Sequence, residues 1–245
     1  MYNFFSNNQP IDGKYYIDGK DFNHVKNVLR MKVGEKFFVS FSGKSDLCVL
    51  ESYTETCVIA KIEEENCQNT DLPINVFLFQ GLPKSDKLEL IIQKSVELGV
   101  HAIVPVEMKR CIVKLDAKKK SSKTERYNAI SESAAKQSKR SYIPKVYEPI
   151  SYNECLEMAK NLDVVLVPYE CADGMISTKN CLSKIKQGMS VGIIIGPEGG
   201  FDDSEIEKVT DLGFDVVSLG KRILRTETAA ITSLAMIMLL SEISL

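Results

Sequence analysis

Two glycine-bearing loops near the end of the chain contain the residues whose types and spacing best suit chemistry. Residues 196–201 read GPEGGF and follow the apolar run VGIII, and residues 219–225 read LGKRILR and follow DVVS. In an open sheet of parallel strands, ligands bind beyond the carboxyl ends of the strands, so two such loops predict one shared pocket. Glycine lets the backbone approach a ligand closely and adopt positive φ. The alternative is two ordinary strand–turn–helix junctions whose glycines serve close packing.

Arg225 is the side chain of these loops that local structure leaves unexplained. Thr226 is able to cap the following helix, and Glu227 suits a first helical turn because the helix dipole favours a carboxylate there. A cation gains nothing from the dipole at that end of a helix. We therefore predict that Arg225 grips an anion, such as a phosphate or a target base.

Several other chemistries are disfavoured by what the sequence lacks. The two histidines, His24 and His101, are far apart and share no metal-ligand spacing with a cysteine, so we expect no metal site. The chain has no G-x-S-x-G elbow, no P-loop and no G-x-G-x-x-G dinucleotide fingerprint. The seven cysteines are scattered, which is typical of reduced thiols in a cytoplasmic protein.

The distribution of charge indicates a nucleic-acid partner, although the net charge does not. The chain has 245 residues and a net charge of −2, yet residues 107–145 contain twelve Lys and Arg against four acidic residues. Such an excess is the footprint expected of a phosphate-facing patch. A solvated lysine loop around residues 118–120 would give the same count. We expect neither a secretory signal nor a membrane span, because the longest apolar stretch, residues 234–240, is far below the roughly 20 residues that a span needs.

The first part of the chain is typical of a small β-rich unit. β-branched and aromatic runs predict strands at residues 36–41, 47–53 and 56–62, in the rhythm of a meander or small barrel. Before them, helical spacing of apolar residues predicts one short helix over residues 22–30. The polar stretch 63–71, followed by Pro73, is typical of a linker.

From residue 74 onward, strand and helix patterns alternate, which predicts a largely parallel sheet covered by helices. The predicted strands are residues 75–79, 102–106, 164–167 and 191–195, and the last two have the continuous apolar character of strands buried on both faces. The predicted helices are one capped by Ser85 that runs to Leu98, one over residues 124–138, one that begins with a Ser151–Glu154 capping box, and one that begins with a Ser204–Glu207 capping box and ends at Gly213.

The last predicted helix, residues 229–240, is apolar nearly all round. A helix that is apolar on every face must be covered on every face. The sheet covers one side, so we expect a second subunit to cover the other.

Five blocks of this sequence resemble, in their order, the ribosomal RNA small-subunit uracil-N3-methyltransferases of the knotted SPOUT class. The blocks are residues 22–35 (FNHVKNVLRMKVGE), 84–106 (KSDKLELIIQKSVELGVHAIVPV), 126–146 (RYNAISESAAKQSKRSYIPKV), 195–207 (IGPEGGFDDSEIE) and 218–230 (SLGKRILRTETAA). The chain departs from the family at Lys221, where proline is usual, and at Asn3, where a basic residue is usual near the start.

The resemblance implies an α/β fold with two domains. Residues 72–245 would form a C-terminal trefoil-knotted SPOUT methyltransferase domain, and residues 1–71 a small N-terminal β-barrel PUA-like domain that binds RNA. Local rules alone would give an unknotted Rossmann-like sheet, because chains almost never thread through loops. The resemblance also implies a cytoplasmic homodimer.

The implied activity is methylation of N3 of a specific uridine in 16S ribosomal RNA, free or within the small subunit, with S-adenosyl-L-methionine as cofactor. Backbone groups and apolar walls suffice to hold an adenosyl group, which matches these two loops. The predicted cofactor-binding residues are Gly196, Pro197, Glu198, Gly199, Gly200, Leu219, Gly220, Ile223, Leu224, Arg225 and Thr228. The predicted RNA-binding residues are Arg30, Lys109, Arg110, Lys119, Lys139 and Arg140.

Uracil N3 carries a proton that must leave, so the predicted catalytic residues are Arg225, Glu198 and Glu227. Arg225 would stabilise charge on the base, and either glutamate would accept the proton. The sequence does not choose between them. A SPOUT methyltransferase of different specificity and a non-catalytic RNA-binding protein with a vestigial pocket are the rival interpretations.

Overall fold

The computed structural model describes residues 1–170, 172 and 174–244. The chain divides into two compact units. The segment 135–143 belongs to the first unit, although the residues on both sides of it belong to the second. The first unit comprises Met1–Asp71 with Ala135–Ile143, and the second comprises Leu72–Ala134 with Pro144–Leu245. The segment 135–143 is the end of a long helix and the turn that follows it.

The first unit is built on a five-stranded sheet with the order β1-β3-β4-β5-β2. Its elements are β1 (Asn3–Phe5), β2 (Lys14–Ile17), α1 (Gly19–Asn23), β3 (Lys36–Phe41), β4 (Lys44–Tyr53) and β5 (Val58–Glu64). β1 pairs with β3 in parallel, and the other pairs are antiparallel. Phe4, Phe37 and Leu50 are among the buried side chains of its core.

The three predicted strands of this unit are present as β3, β4 and β5, and the short edge strands β1 and β2 were not predicted. The predicted helix over residues 22–30 is instead α1 followed by a π-helical turn, His24–Val28. Leu29 N–H donates to the carbonyl of His24 at 2.9 Å, which is the i→i+5 bond of a π turn. The wider turn rotates Val28 away from the core, and its side chain is 64 % exposed.

The segment 135–143 is fastened into the first unit by Arg140, which is buried with only 2 % of its surface exposed. Its guanidinium pairs with Asp71 and lies 4.7 Å from the ring centre of Tyr142. Its carbonyl accepts hydrogen bonds from Asn3 Nδ2 at 3.0 Å and from Ser40 Oγ at 3.4 Å. The prediction that Arg140 contacts RNA is therefore wrong, because its charge is neutralised inside the unit. Asn3 has the structural role of holding this carbonyl.

The second unit is built on a parallel sheet with the order β12-β10-β11-β6-β7-β8, and β9 also pairs with β7. Its strands are β6 (Asn75–Gly81), β7 (Ala102–Glu107), β8 (Lys145–Val146), β9 (Ile150–Ser151), β10 (Val164–Pro168), β11 (Ser190–Ile195) and β12 (Asp215–Val217). Its helices are α2 (Lys87–Glu97), α3 (Ala117–Ser138, whose end belongs to the first unit), α4 (Tyr152–Ala159), α5 (Ile176–Leu182), α6 (Asp203–Asp211) and α7 (Thr226–Ser244). The predicted parallel sheet is confirmed, since every pair within it is parallel.

Capping explains where two of these helices begin. The predicted Ser151–Glu154 box is confirmed at α4, where the Glu154 N–H donates to Ser151 Oγ at 3.3 Å. At α6 the prediction is wrong by two residues, because the box is formed by Asp202 and Glu205. The Asp202 N–H donates to Glu205 Oε2 at 2.9 Å, and Asp202 Oδ1 accepts from the Ser204 N–H at 3.3 Å, so Ser204 lies in the first turn of the helix.

The starts of α2 and α3 also differ from the predictions. Ser85 does not cap α2; it lies in the left-handed region at φ 55°, and the helix begins at Lys87. α3 begins at Ala117 rather than at residue 124, so the lysines at 118–120 form a first helical turn and not a loop. Asp116 explains the earlier start, because its carboxylate accepts from the Lys119 N–H at 2.9 Å.

α7 is buried along one face only. Ala230, Leu234 and Ile237 are fully buried, and the helix packs against α2, β6 and β11. Leu239 is 52 % exposed and Ile243 is 80 % exposed. Residues 226–243 are long and apolar enough to cross a membrane, but the same composition suits a helix that packs on a sheet. The apolar face away from the sheet has no cover within the described chain.

Ser85→Gly is expected to stabilise the protein. Relief of left-handed strain contributes about 1–2 kcal/mol, and the greater freedom of glycine in the unfolded chain removes about 0.4–1 kcal/mol of that. The free energy of unfolding should therefore rise by roughly 0.5–1 kcal/mol in urea denaturation. Ser85→Ala is the control, because alanine keeps the strain, and a gain equal to that of the glycine variant would show that strain is not the cause.

Candidate functional site

The carboxyl ends of three neighbouring strands form a cleft of about 430 Å³ in the second unit. The loops that line it follow β10, β11 and β12, which lie side by side in the sheet. The structure thus brings together the two glycine-bearing loops of the sequence. It adds a third, residues 168–170, which reads Pro-Tyr-Glu and gives no glycine signal in the sequence.

Most of the predicted cofactor-binding residues line this cleft. They are Gly196, Pro197, Glu198, Gly200, Leu219, Gly220, Ile223, Leu224 and Arg225. Gly199 and Thr228 lie outside the lining. A Cβ on Gly199 would lie 3.1 Å from Arg110 Cβ, so this glycine makes room for the neighbouring loop. Thr228 is exposed on the first turn of α7.

Close approach and positive φ explain the glycines that do line the cleft. Gly200 and Gly220 have φ of 67° and 106°. A Cβ on Gly196 would lie 3.2 Å from the Gly200 carbonyl carbon and 3.2 Å from the Phe201 ring. The loop is therefore folded tightly on itself, and Phe201 anchors it with a T-shaped contact to Tyr169, the ring centres being 6.3 Å apart.

A buried hydrogen-bond relay joins three elements beneath the cleft. The Thr226 hydroxyl donates to the carbonyl of Gly196 at 2.6 Å and accepts from Gln80 Nε2 at 2.9 Å. Gln80 is the penultimate residue of β6, Gly196 follows β11, and Thr226 is the first residue of α7. Thr226 was predicted to cap α7, but its hydroxyl instead ties the helix to the end of β11.

The amide of Gln80 has only one workable orientation. Its Nε2 also donates to the Gly81 carbonyl at 2.9 Å, and a reversed amide would place two acceptor oxygens together. Its Oε1 is buried and has no hydrogen-bond partner among the described residues. Sequence reasoning missed this residue. The one signal for it is a glutamine inside an otherwise apolar strand, residues 76–80 reading VFLFQ.

The charged groups at the cleft are joined by Lys87, the first residue of α2. Its Nζ lies 3.1 Å from Glu198 Oε1 and 3.2 Å from Glu227 Oε2. Glu198 also accepts from the Lys84 N–H at 3.0 Å. Burial raises the pKa of Glu198, but hydrogen bonds from backbone N–H groups and from Lys87 outweigh it and hold that pKa below its usual value. Glu198 is therefore an ionised carboxylate whose oxygens are already engaged.

Glu227 lies beside the cleft rather than in its lining. Its Oε2 is buried and faces the Lys87 ammonium, but the pair is out of line for a hydrogen bond. The oxygen thus has a charged neighbour and no hydrogen-bond donor among the described residues. Lys87 was missed by sequence reasoning because a lysine in a first helical turn gives no signal of its own.

Arg225 is exposed and lines the cleft. Its side chain has no ion-pair or hydrogen-bond partner within the described part of the chain. That Arg225 binds an anion stays a prediction, and a guanidinium without a partner in the described part of the protein is free to do so.

Several cations of the predicted basic patch pair with neighbouring carboxylates. Lys109 pairs with Asp202 at 2.9 Å, and the Arg110 guanidinium donates to the Gly199 carbonyl at 3.2 Å. Further pairs are Lys119–Asp116, Lys120–Glu107, Arg126–Glu89 and Lys136–Asp21. Hydrogen bonds from Ser204 and Lys109 hold the pKa of Asp202 at about 2, so this carboxylate stays ionised. Lys109 and Arg110 thus fasten the loop after β7 to the first glycine-bearing loop.

The two remaining predicted RNA contacts lie in turns. Arg30 is exposed, with φ of 52°, and follows the π-helical turn. Lys139 has φ of 59°, and its carbonyl accepts from Thr70 Oγ1 at 2.7 Å.

Across the described residues, no group of three or more His, Cys, Asp or Glu is placed to hold a metal ion.

Two models of known protein families match this chain, and they divide it near the same residues as the two structural units. Residues 70–238 match the model of an RNA methyltransferase domain, and residues 17–68 match the model of an RNA methyltransferase PUA domain. The ribosomal RNA small subunit methyltransferase E of Bacillus subtilis is 39 % identical over 94 % of this chain and 91 % of its own length. The enzyme of the same name from Mesomycoplasma hyopneumoniae is 38 % identical over 94 % of this chain and 96 % of its own.

One solved structure is similar over nearly the whole chain. It is a ribosomal RNA small subunit methyltransferase E from Neisseria gonorrhoeae, crystallised with S-adenosyl methionine. It matches with a TM-score of 0.81 and 30 % identity, over 98 % of both chains.

Thr226→Val is expected to lower the free energy of unfolding by about 1–3 kcal/mol, because it leaves the buried Gly196 carbonyl without a donor. Thr226→Ser should lose less, since serine keeps the hydroxyl. Thr228→Val, an exposed change two residues later in the same helix, should stay within about 0.5 kcal/mol of the wild type. Urea denaturation of the three variants tests the relay, and an equal loss at residues 226 and 228 would refute it.

Proposed function

This chain belongs to the ribosomal RNA small subunit methyltransferase E family, and we propose that it methylates N3 of a specific uridine in 16S ribosomal RNA. The methyl donor in this proposal is S-adenosyl-L-methionine. The observation that supports it is the cleft formed by the loops after β10, β11 and β12, since ligands of parallel α/β sheets bind beyond the carboxyl ends of the strands.

The cleft suits an adenosyl cofactor in size, lining and charge. Its volume of about 430 Å³ is in the range of small-molecule sites. Leu219 and Leu224 offer apolar walls, and the glycines expose backbone groups. Glu198 and Glu227 share the single ammonium of Lys87, so this cluster has one net negative charge, which favours a cationic ligand. When bound, the cofactor supplies a methyl group activated by its positively charged sulfur.

Arg225 has the catalytic role that the geometry supports best. Loss of the N3 proton leaves negative charge on the uracil ring, and a free guanidinium at the cleft would stabilise it. Glu198 is less suited to accept the proton, because its lowered pKa makes it a weaker base. Glu227 is less suited because its Oε2 is buried beside Lys87. We therefore propose that the proton is released to solvent at the cleft rather than to either glutamate.

We assign the remaining residues of the cleft to positioning. Methyl transfer is an in-line displacement, so its rate depends on how closely N3 is held opposite the methyl carbon. Thr226 and Gly196 hold the cleft through the relay to Gln80, and Lys87 holds Glu198 against the start of α2. We propose that the first unit binds RNA, which the match of residues 17–68 to an RNA methyltransferase PUA domain supports, and that the boundary between the domains lies at residues 71 and 72.

We also propose that the second unit contains a trefoil knot. β12 is the edge strand of the sheet, and the chain after it returns to place α7 against β11, β6 and α2. An ordinary winding order would leave the last helix beside the last strand. The returning segment, residues 218–225, is the second glycine-bearing loop.

We further propose that the protein is a homodimer in the cytoplasm. The face of α7 away from the sheet is apolar and partly exposed, and an apolar groove of about 590 Å³ runs beside its end. Met175, Ile176 and Leu182 of the α5 region and Leu240 of α7 line this groove. A second copy would cover both features.

The proposed reaction is tested by mass spectrometry of nucleosides from 16S RNA or small subunits incubated with the protein and labelled S-adenosylmethionine. We expect label in one uridine, as N3-methyluridine. Label on a ribose 2′-oxygen or on another base would contradict the specificity, and S-adenosylmethionine that neither binds nor donates label would contradict the enzymatic function.

Arg225→Ala is expected to lower the single-turnover rate of methyl transfer by on the order of 10²–10³-fold, the usual loss for one donor to a developing charge. S-adenosylmethionine affinity, measured by isothermal titration, should change far less. Arg225→Lys is the matched variant, which keeps the charge and should recover part of the rate. A wild-type rate for the alanine variant at saturating RNA would mean that Arg225 has no role in the reaction.

Met238→Glu is expected to convert a dimer into monomers or aggregate, because it places a charge on the apolar face of α7. Light scattering at micromolar concentration measures the mass. Glu242→Gln, a mild change at an exposed position of the same helix, should leave the dimer intact. A monomeric mass for the wild type would contradict the proposed dimer.

A further inference from the structure

The loop after β12 contains a cluster of unpaired cations at the rim of the cleft. Lys221, Arg222 and Arg225 are exposed, and none has an ion-pair or hydrogen-bond partner within the described ranges. In the stretch 107–145, Lys109, Lys119 and Lys120 are among the cations that already face a carboxylate, whereas Lys114 and Lys118 are exposed without such a partner in the described chain. The loop differs from that stretch in its place, because its free positive charge lies at the rim of the cleft.

An exposed apolar residue, Ile223, lies between these cations in the sequence. Ile223 is 82 % exposed, although it lines the cleft together with its neighbours in the loop. An isoleucine in water on a cationic loop makes no contribution to the core. It does match nucleic acid, in which phosphates alternate with bases whose faces are apolar.

We propose that residues 221–225 are the docking surface for an unpaired stretch of the RNA substrate. Lys221 and Arg222 bind backbone phosphates beside the target uridine, and Ile223 contacts the face of a base. This inference rests on the proposed function and names the part of the molecule that selects an unpaired target.

The chemistry of the target requires such a surface. N3 of uracil lies on the edge that base pairing covers, so an enzyme reaches it only in an unpaired or flipped nucleotide. A surface that binds phosphates and a base face together holds a single strand, whereas a duplex hides its base faces by stacking. The loop after β12 lines the cleft in which the proposed methyl transfer takes place, so a strand held by the loop lies beside that cleft.

The loop is fixed at both ends, so its cations are held in place relative to the cleft. At its start, Thr178 Oγ1 donates to the Ser218 carbonyl at 2.7 Å and accepts from the Ser218 N–H at 3.1 Å. At its end, Thr226 is bound to Gly196 at 2.6 Å. Gly220, with φ of 106°, makes the turn between them.

The test measures RNA affinity by fluorescence anisotropy across a salt titration. The probes are a labelled single-stranded oligoribonucleotide with one uridine and the same strand annealed to its complement. We expect the wild type to prefer the single strand. The double variant Lys221→Ala/Arg222→Ala should bind it on the order of tenfold more weakly, and the slope of log affinity against log salt should fall by about 1.4, or about 0.7 per lost phosphate contact.

The matched control is Lys119→Ala/Lys120→Ala, which removes the same charge from the first turn of α3. Its loss of affinity and of slope should be smaller, because Lys119 already pairs with Asp116 and Lys120 with Glu107. Ile223→Ser should remove the preference for the single strand, and Ile223→Leu should keep it. A control pair that loses as much as the loop pair, or a wild type without preference for the single strand, would overturn the inference.

S-adenosylmethionine affinity separates this inference from the function on which it rests. The double variant of the loop should still bind S-adenosylmethionine, because the apolar walls Leu219 and Leu224 and the glycine backbone groups proposed to hold it are unchanged. A wild type without affinity for S-adenosylmethionine would refute the proposed function. If the wild type transfers methyl groups and the loop variant binds RNA as tightly as the wild type, the proposed docking surface is wrong but the proposed function is not.

Discussion

The hydrogen bond from the Thr226 hydroxyl to the Gly196 carbonyl is the interaction on which the cleft depends. It joins the start of α7 to the end of β11, and Gln80 extends it to β6. Each partner is buried, so any of them left unpaired would cost about 1–3 kcal/mol. Because the first glycine-bearing loop begins at this relay and the second ends at it, the relay fixes the distance between the two walls of the cleft.

The cleft has a net negative cluster on one side and exposed positive side chains on the other. On one side, Lys87 neutralises one of the two carboxylates of Glu198 and Glu227, and this cluster is joined by short contacts. On the other side, Arg225 and its neighbours Lys221 and Arg222 are exposed without partners in the described residues. The first arrangement suits a cationic methyl donor, and the second suits an anionic polymer. One cleft can thus hold reactants of opposite charge next to each other.

Sequence patterns predicted those parts of the structure that depend on local physics. The buried strands β10 and β11, the parallel sheet, the capping box at Ser151 and the pairing of two glycine-bearing loops follow from hydrophobic runs and short motifs. What they missed depends on residues distant in the chain. Arg140 was expected at the surface because its partner Asp71 lies 69 positions away, and Gln80 was overlooked because its partner Thr226 lies 146 positions away.

The most direct test of this account is the affinity of S-adenosylmethionine for the wild type and for Thr226→Val, measured by isothermal titration with Thr228→Val as control. If the relay holds the cleft, the wild type binds with one site per chain, the control is unchanged, and folded Thr226→Val binds at least about tenfold more weakly, a loss of about 1.4 kcal/mol. Wild-type affinity in folded Thr226→Val, or no binding by the wild type, would contradict the account.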